Sequence, residues 1–365
     1  MKYSNILVIN LMHIGDLLLV TPVLRTLRAN YPTARLSLLA DKKLRDLVKD
    51  NRHIDELIEI DKKGYHNNLK HYLAFIGEIR QRKFDLVINL HANERASYIA
   101  AFSCAKQIVG YSTFGAHFFF DQVMENTKAI KHQIHSHFDV LTQAAGVTKI
   151  DDGGLEMWLD EASIKSADNI WQNNFGQCNC QQVIGLNIGA SWETKRWCGN
   201  YYAELADRLL ELGYGVAYFG GPMDEAIVQA AVEQMKNKHH PNLKILTGKV
   251  TLQELAALLK KCSVFVTNDS GPMHIAVTQD VPLVTMFGAS PVPGFYPYNN
   301  KSILIKTPLA CHPCGIHTCP TLDCMKQIPV DVVFKYTMEL LTKYGEKTGN
   351  LTRDYGQYHC KIVEL

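Results

Sequence analysis

The residues able to do chemistry cluster where an apolar run ends and a helix-like pattern begins. In VFVTNDSGPMHIAV, Val264 to Val277, the run breaks into Asn268, Asp269, Ser270, Gly271 and Pro272 and resumes with Met273 and His274. Backbone N–H groups of Ser270 and Gly271 at a helix start form a donor-rich, positive socket suited to a diphosphate, and Gly271 leaves room for close approach. The same letters suit a capped helix start with Asp269 as the cap. A histidine one turn into a helix is more often a hydrogen-bonded structural residue than a catalytic one.

Three other strand ends carry comparable residues. In LMHIGDLLLVTPVLRTLR, Gly15 permits a close backbone turn and Asp16 opens a helix whose next residues, Leu17 to Val20, are apolar. A lone carboxylate at that edge serves either as an N-cap or as a general base, and the segment by itself leaves both open. ASWETKRW offers the hydroxyls of Ser191 and Thr194 and the cations Lys195 and Arg196. That set suits a phosphate, or else a solvated loop with Trp192 and Trp197 packed beneath it. GYGVAYFGGPMDEA ends in Gly220 and Gly221, then Asp224 and Glu225 at a helix start. Acids favour that end of the helix dipole, and one there is also placed to hold ribose hydroxyls.

The elements that position these residues alternate from end to end. NILVINL, ARLSLLA, LIEI and FDLVINL are separated by helical stretches, the pattern pauses after Asp151, and it restarts with QVIGLNIG, GYGVAYFGG, LKILTG, SVFVTND and PLVTMFG. Strand and helix in alternation predict parallel sheets covered by helices on both faces. Two α/β domains are expected, over residues 1–175 and 176–345, with a tail at 346–365. Ligands of such sheets bind beyond the carboxyl ends of the strands, and in a two-domain version in the cleft between the halves.

A chain of 365 residues is long enough for two cores. No apolar run approaches the roughly 18 residues that span a bilayer, and MKYSNILVINL enters a strand pattern directly, so a cytoplasmic protein is expected. Thirty-eight Lys and Arg against 36 Asp and Glu argue against a general nucleic-acid binder. The ten cysteines are expected to be thiols. Four of them, Cys311, Cys314, Cys319 and Cys324, fall in CHPCGIHTCPTLDCMKQIP. A C-x2-C opening is within the range of zinc or iron-sulfur sites, but x4 spacings are not those of a standard finger, and reduced thiols are the favoured reading.

IGDLLLVTPVLRTLR, ASWETKRW, TGKVTLQELAALL, TNDSGPMHIA and PLVTMFGAS, in this order over nearly the whole chain, resemble the ADP-heptose:lipopolysaccharide heptosyltransferases of glycosyltransferase family 9, type II or III. The resemblance implies the GT-B fold, two Rossmann-like domains facing each other across a cleft, with the acceptor held mainly by the first and the nucleotide sugar by the second. It implies Asp16 as general base, with Gly15 beside it, and Lys195 as the cation near the leaving diphosphate. Ser191, Thr194, Asp269, Ser270, Gly271 and His274 would hold the donor's phosphates and sugar, with Glu225 near the ribose and the loop around Val250 near the adenine. The chain departs from many relatives at His13 and Ala190.

The implied reaction is an inverting, metal-independent transfer of heptose from ADP-L-glycero-beta-D-manno-heptose to the lipopolysaccharide inner core, with no cofactor. It would run at the cytoplasmic face of the inner membrane, with peripheral membrane contact and no nucleic-acid partner. Lys62, Lys63 and Arg95 are candidates to meet the acidic acceptor, or simply surface charges. A nucleotide-sugar-binding sensor and a GT-B-like sugar-nucleotide epimerase are the alternatives that would share the donor socket.

Overall fold

The structure is a computed structural model that describes residues 2–180, 182–345 and 360–365. The first domain is built on β1 (Asn5–Ile9), β2 (Arg35–Asp41), β3 (Glu56–Ile60), β4 (Leu86–Asn89), β5 (Gln107–Gly110) and β6 (Gln122–Val123). All six are parallel, in the order β3-β2-β1-β4-β5-β6. β4 is buried throughout and β1 in all but its first residue. Burial on both faces is why these strands read as continuous apolar runs. Helices Leu69–Gln81 and Glu94–Phe102 contribute Phe75, Ile79, Ala96 and Ile99 to the core that also takes Leu7, Ile9 and Val87.

The second domain is built on β7 (Val183–Asn187), β8 (Gly215–Phe219), β9 (Leu243–Ile245), β10 (Val264–Asn268), β11 (Leu283–Phe287), β12 (Ser302–Lys306) and β13 (Lys361–Glu364). They too are all parallel, in the order β9-β8-β7-β10-β11-β12-β13. The two domains thus share one winding pattern, and the fold is the expected GT-B type with two Rossmann-like domains. The amphipathic helix Gly199–Glu211 packs Tyr202, Leu205, Ala206 and Leu209 onto this sheet.

The two compact units divide between Trp158 and Leu159. The alternation of elements places the change at 175/176, but helix Glu161–Phe175 packs on helix Leu252–Leu259, and Ser166 Oγ donates to Glu254 Oε1 at 2.5 Å, so it belongs with the second unit. Of the expected tail, residues 346–359 lie outside the described residues, while Lys361–Glu364 pair with β12 as the sheet's outermost strand. Cys178 and Cys180 form a disulfide with Cα atoms 5.2 Å apart, against the expectation of thiols throughout.

Gly110 ends β5 at φ +118°, and a Cβ there would lie 2.1 Å from the Asn89 carbonyl oxygen. Close approach fixes Asn89, whose Nδ2 donates to the carbonyls of Tyr111 at 2.7 Å and His91 at 3.1 Å. Gly110→Ala is expected to destabilise the protein by about 2 kcal/mol or more, read as a lowered urea midpoint.

Candidate active site

In each sheet the strand order reverses at one point, between β1 and β4 in the first and between β7 and β10 in the second. The loops that leave such a pair run to opposite faces and open a crevice at the carboxyl edge. Asp16 follows the first of these points, and Lys195, Asp269, Ser270, Gly271 and His274 follow the second.

In the first domain, Ile9 pairs with Asn89 at the end of the β1–β4 ladder. Beyond it lies a cavity of about 120 Å³ lined by Asn10, Met12 and Asp16 after β1 and Leu90, His91 and Ala92 after β4, with Asn126, Lys128, Gln133 and His137 completing the wall. Asp16 is not a cap. Helix Ile14–Leu18 starts two residues earlier, its N-cap is His13, and Asp16 sits in the first turn. Gly15 lies inside that helix instead of in a turn, while Leu17 and Leu18 bury the opposite side. A carboxylate on a concave polar wall is placed to accept a proton from a bound hydroxyl.

The wall holds two buried polar atoms, Asn10 Nδ2 and His91 Nδ1, that have no hydrogen-bond partner among the described residues. His137 Nδ1 meets Tyr111 Oη at 3.1 Å and Gln133 Nε2 at 3.3 Å. Buried polar atoms are nearly always paired, so the orphans point to a ligand that pairs them. Asn10, His91, Lys128, Gln133 and His137 were not among the sequence candidates. The rule that found Asp16, to read the residues just past each strand, also covers Asn10 after β1 and His91 after β4.

Of the acceptor candidates, Lys62 Nζ pairs with Asp41 Oδ2 at 3.0 Å and also donates to the Leu11 carbonyl. Arg95 Nη1 donates to the Lys62 carbonyl at 2.7 Å and its guanidinium lies over Tyr72. The two form one braced group beside the β1 loop, while Lys63 is exposed.

In the second domain, Asn187 and Asn268 end β7 and β10 and lace their loops together. Asn187 Nδ2 donates to Gly189 O at 2.9 Å and Thr267 Oγ1 at 3.1 Å, and lies 3.3 Å from Ser270 Oγ. Asn268 Nδ2 donates to Ile188 O at 2.7 Å, and its Oδ1 accepts from the Trp197 N–H at 2.9 Å and from Tyr202 Oη at 3.2 Å. This lacing holds Lys195, whose ammonium pairs with Asp269 Oδ2 at 2.8 Å, the side chains being 15 % and 5 % exposed. Asp269 is therefore an ion-pair partner and not a cap. The N-cap of helix Gly271–Thr278 is Ser270, which makes no side-chain cap bond. Among the described residues no carbonyl accepts from the N–H groups of Ser270 or Gly271.

His274 is 3 % exposed, and its Nδ1 has no partner among the described residues. Burial pushes its pKa down to about 4, Lys195 pushes the same way, and Asp269 opposes them. At neutral pH it is an uncharged imidazole behind the socket.

Thr194 is buried, its hydroxyl donating to the Ile316 carbonyl at 2.6 Å, so it ties down a neighbouring loop. Ser191 is exposed. Glu225 heads helix Glu225–Val232, and a Cβ on Gly248 would lie 2.0 Å from its Oε1. Asp224, its neighbour, reaches nearer the end of β7, since a Cβ on Gly189 would lie 2.3 Å from Asp224 Oδ2. Val250 is half-buried, just before the capping box of Thr251 and Glu254.

Cys311 and Cys314 are exposed, and Cys319 and Cys324 partly so. Burial raises the Cys324 thiol to about 11, with the other three thiols adding to the shift. Among the described residues no three His, Cys, Asp or Glu side chains are arranged to hold a metal ion.

Burial also pushes His91 down to about 4 and His137 to about 3. Each of these histidines takes up a proton more readily in the unfolded chain, so the stability it contributes is full above pH of about 6.5 and is lost as pH falls toward the folded values. Urea unfolding between pH 7 and pH 4 is expected to show stability falling with acid, by up to about 1.4 kcal/mol per pH unit for each histidine. A flat profile over that window would contradict the burial of neutral imidazoles.

Residues 72–324 match the profile of Glycosyltransferase family 9 (heptosyltransferase). Lipooligosaccharide heptosyltransferase 2 of Haemophilus influenzae is 23% identical over 308 residues, covering 83% of this chain and 88% of that protein. Among solved structures, a glycosyl transferase family 9 protein from Veillonella parvula is 35% identical with a TM-score of 0.86, covering 94% of this chain and 98% of that one. The ADP-heptose lps heptosyltransferase II of E. coli shares the fold at 22% identity and a TM-score of 0.76, covering 93% and 99%. With its Asp16 wall and its Lys195–Asp269 pair at the two reversal points, the chain is a glycosyltransferase and belongs to family 9, the heptosyltransferases.

Proposed function

We propose that this protein moves heptose from ADP-L-glycero-beta-D-manno-heptose to the inner core of lipopolysaccharide, with inversion at the anomeric carbon. The observation that carries the reading is the division of chemistry between the two strand-order reversals. One presents a carboxylate on a polar wall. The other presents an ammonium, N–H groups to which no carbonyl among the described residues is bonded, and a neutral histidine. Relatives named as heptosyltransferases 2 and 3 support the donor and acceptor class, type II or III.

In this mechanism an acceptor hydroxyl gives its proton to the Asp16 carboxylate while its oxygen bonds to the anomeric carbon. The bond from that carbon to the β-phosphate oxygen breaks on the opposite face, and ADP leaves with the electron pair. Negative charge grows on the diphosphate as it departs, so Lys195 and the N–H groups of Ser270 and Gly271 bind the transition state more strongly than the ground state. Lys195 must leave Asp269 or share it, and the resident carboxylate keeps the ammonium charged and aimed until donor binds. The mechanism uses no metal and no cofactor: ammonium and helix terminus carry the phosphate charge. Asp224 and Glu225 are placed for the ribose, and the loop around Val250 for the adenine. Lys62, Lys63 and Arg95 would meet the phosphorylated acceptor.

Asp16→Asn is expected to lower kcat by about 10² to 10⁴ with ADP affinity unchanged, measured with ADP-heptose and truncated lipopolysaccharide. Lys195→Ala is expected to lower kcat by about 10². Full transfer by Asp16→Asn would sink the base assignment. Nucleotide-sugar binding by the native chain without transfer would favour the sensor, and interconversion of the free donor the epimerase.

We further propose that the first domain meets the cytoplasmic face of the inner membrane that carries the acceptor. No helix of the described residues is long and apolar enough to cross a bilayer. The contact would be made by Phe114, Phe118 and Phe119, which are 90%, 76% and 51% exposed. Phe119 stands 5.4 Å from Phe102, and Phe114 and Phe118 flank His117 at 5.5 and 4.0 Å. Connected exposed rings mark an interaction surface, and rings of this size enter the interfacial layer readily. The double variant Phe114→Ser, Phe118→Ser is expected to lose sedimentation with vesicles of anionic phospholipid while keeping transfer to a delipidated acceptor. Unchanged sedimentation would refute this contact.

A further inference from the structure

The cysteine-rich segment touches the Lys195 loop through an imidazole. Lys195 Nζ lies 4.5 Å from the centroid of the Trp192 ring, and the same ring stacks on His317 at 4.1 Å with 26° between the planes. Two backbone ties run alongside: Thr194 Oγ1 donates to Ile316 O at 2.6 Å, and the Thr194 N–H to His317 O at 3.5 Å. Gly315 N–H donates to Ala289 O at 2.9 Å, anchoring the segment to the loop after β11. Gly288 keeps the approach tight, because a Cβ there would lie 2.3 Å from the Thr194 carbonyl oxygen.

A lysine on its flexible four-carbon stem loses entropy whenever it is held in one place, and an indole face is the best neutral surface for an ammonium. Trp192 is only half-buried and sits in the short turn that leads into Glu193–Lys195. Stacked on that indole is His317, an exposed residue of a different loop. Arg196, the adjacent cation, is turned away, with its Nε donating to the Ala190 carbonyl at 2.9 Å.

We propose that Trp192 and His317 are positioning residues for transfer: the stacked pair sets the place of the Lys195 ammonium, and it is the ring of His317, not its charge, that acts. This rests on the role of Lys195 in stabilising the departing diphosphate. It assigns the segment 311–324 a part in the reaction through His317, whatever the state of its thiols.

The test compares Trp192→Ala, Trp192→Phe, His317→Ala and His317→Phe with Lys195→Ala, in the full-length protein, by kcat, KM for the donor and thermal melting. Misplacing the ammonium is expected to lower kcat about tenfold in both alanine variants, with the melting temperature of His317→Ala unchanged since its side chain is exposed. His317→Phe, which keeps a flat ring without the ring nitrogens, is expected to restore kcat and leave the pH–rate profile as in the native enzyme. Adding Trp192→Ala to Lys195→Ala is expected to cost little more, because the ammonium it positions is gone. A native kcat in His317→Ala, or no rescue by His317→Phe, would overturn the proposal while a slow Lys195→Ala left the mechanism standing. A native kcat in Lys195→Ala would remove the mechanism's role for that lysine and this inference with it.

Discussion

The constraint on which both sites depend is the reversal of strand order in a parallel sheet. Where β1 meets β4, and again where β7 meets β10, neighbouring strands hand their chains to helices on opposite faces. No loop then crosses the carboxyl edge between them, and the polar groups at the strand ends are left facing a gap. Asn89, Asn187 and Asn268, each ending a buried strand, use that position to donate to loop carbonyls. They hold the strand-end loops at a fixed span. His91 in one domain and Trp197, two residues beyond Lys195, in the other inherit their positions from these amides.

Within that frame the Lys195–Asp269 pair is a largely buried ion pair. Removing two such charges from water is costly, and their mutual attraction offsets the cost only if both stay in register. Asp269 follows the end of β10 and Lys195 follows β7 on the adjacent strand, so the ladder of β7 and β10 sets the register. Taking away the lysine would leave a carboxylate that is only 5 % exposed without its counter-ion. The same pair bears on His274, which burial keeps neutral while Asp269 and Lys195 pull on it in opposite senses. In the proposed mechanism the donor phosphates would share the ammonium with the Asp269 carboxylate.

Legibility in the sequence depends on where each group sits. Fully buried strands such as LVIN and VFVTN are apolar runs with polar ends, and the residues just past such ends include Asp16, Lys195, Asp269 and His274. QIVG and SILIK, of the same lengths, each carry a polar residue at a half-buried end, and β13 pairs through four residues near the end of the chain. The capping readings of Asp16 and Asp269 were chemically sound but off by one to three residues, a distance that sequence preference does not resolve. Lys128 comes from a loop, and Gln133 and His137 from the short helix Gln133–Asp139; none follows a strand directly, and only the folded domain brings them to the wall that carries Asp16. The contact of His317 with Trp192 joins segments over a hundred residues apart, and nothing local in either encodes it.

The mechanism we propose is a single displacement, with proton removal at Asp16 and charge release at Lys195 in the same step. The most direct measurement is the anomeric configuration of the first-formed product, by proton and carbon NMR of a single-turnover reaction with ADP-L-glycero-beta-D-manno-heptose and a soluble inner-core acceptor. A product of inverted configuration is predicted. A product that retains the donor's configuration would require a second displacement through a covalent glycosyl intermediate and would contradict the mechanism.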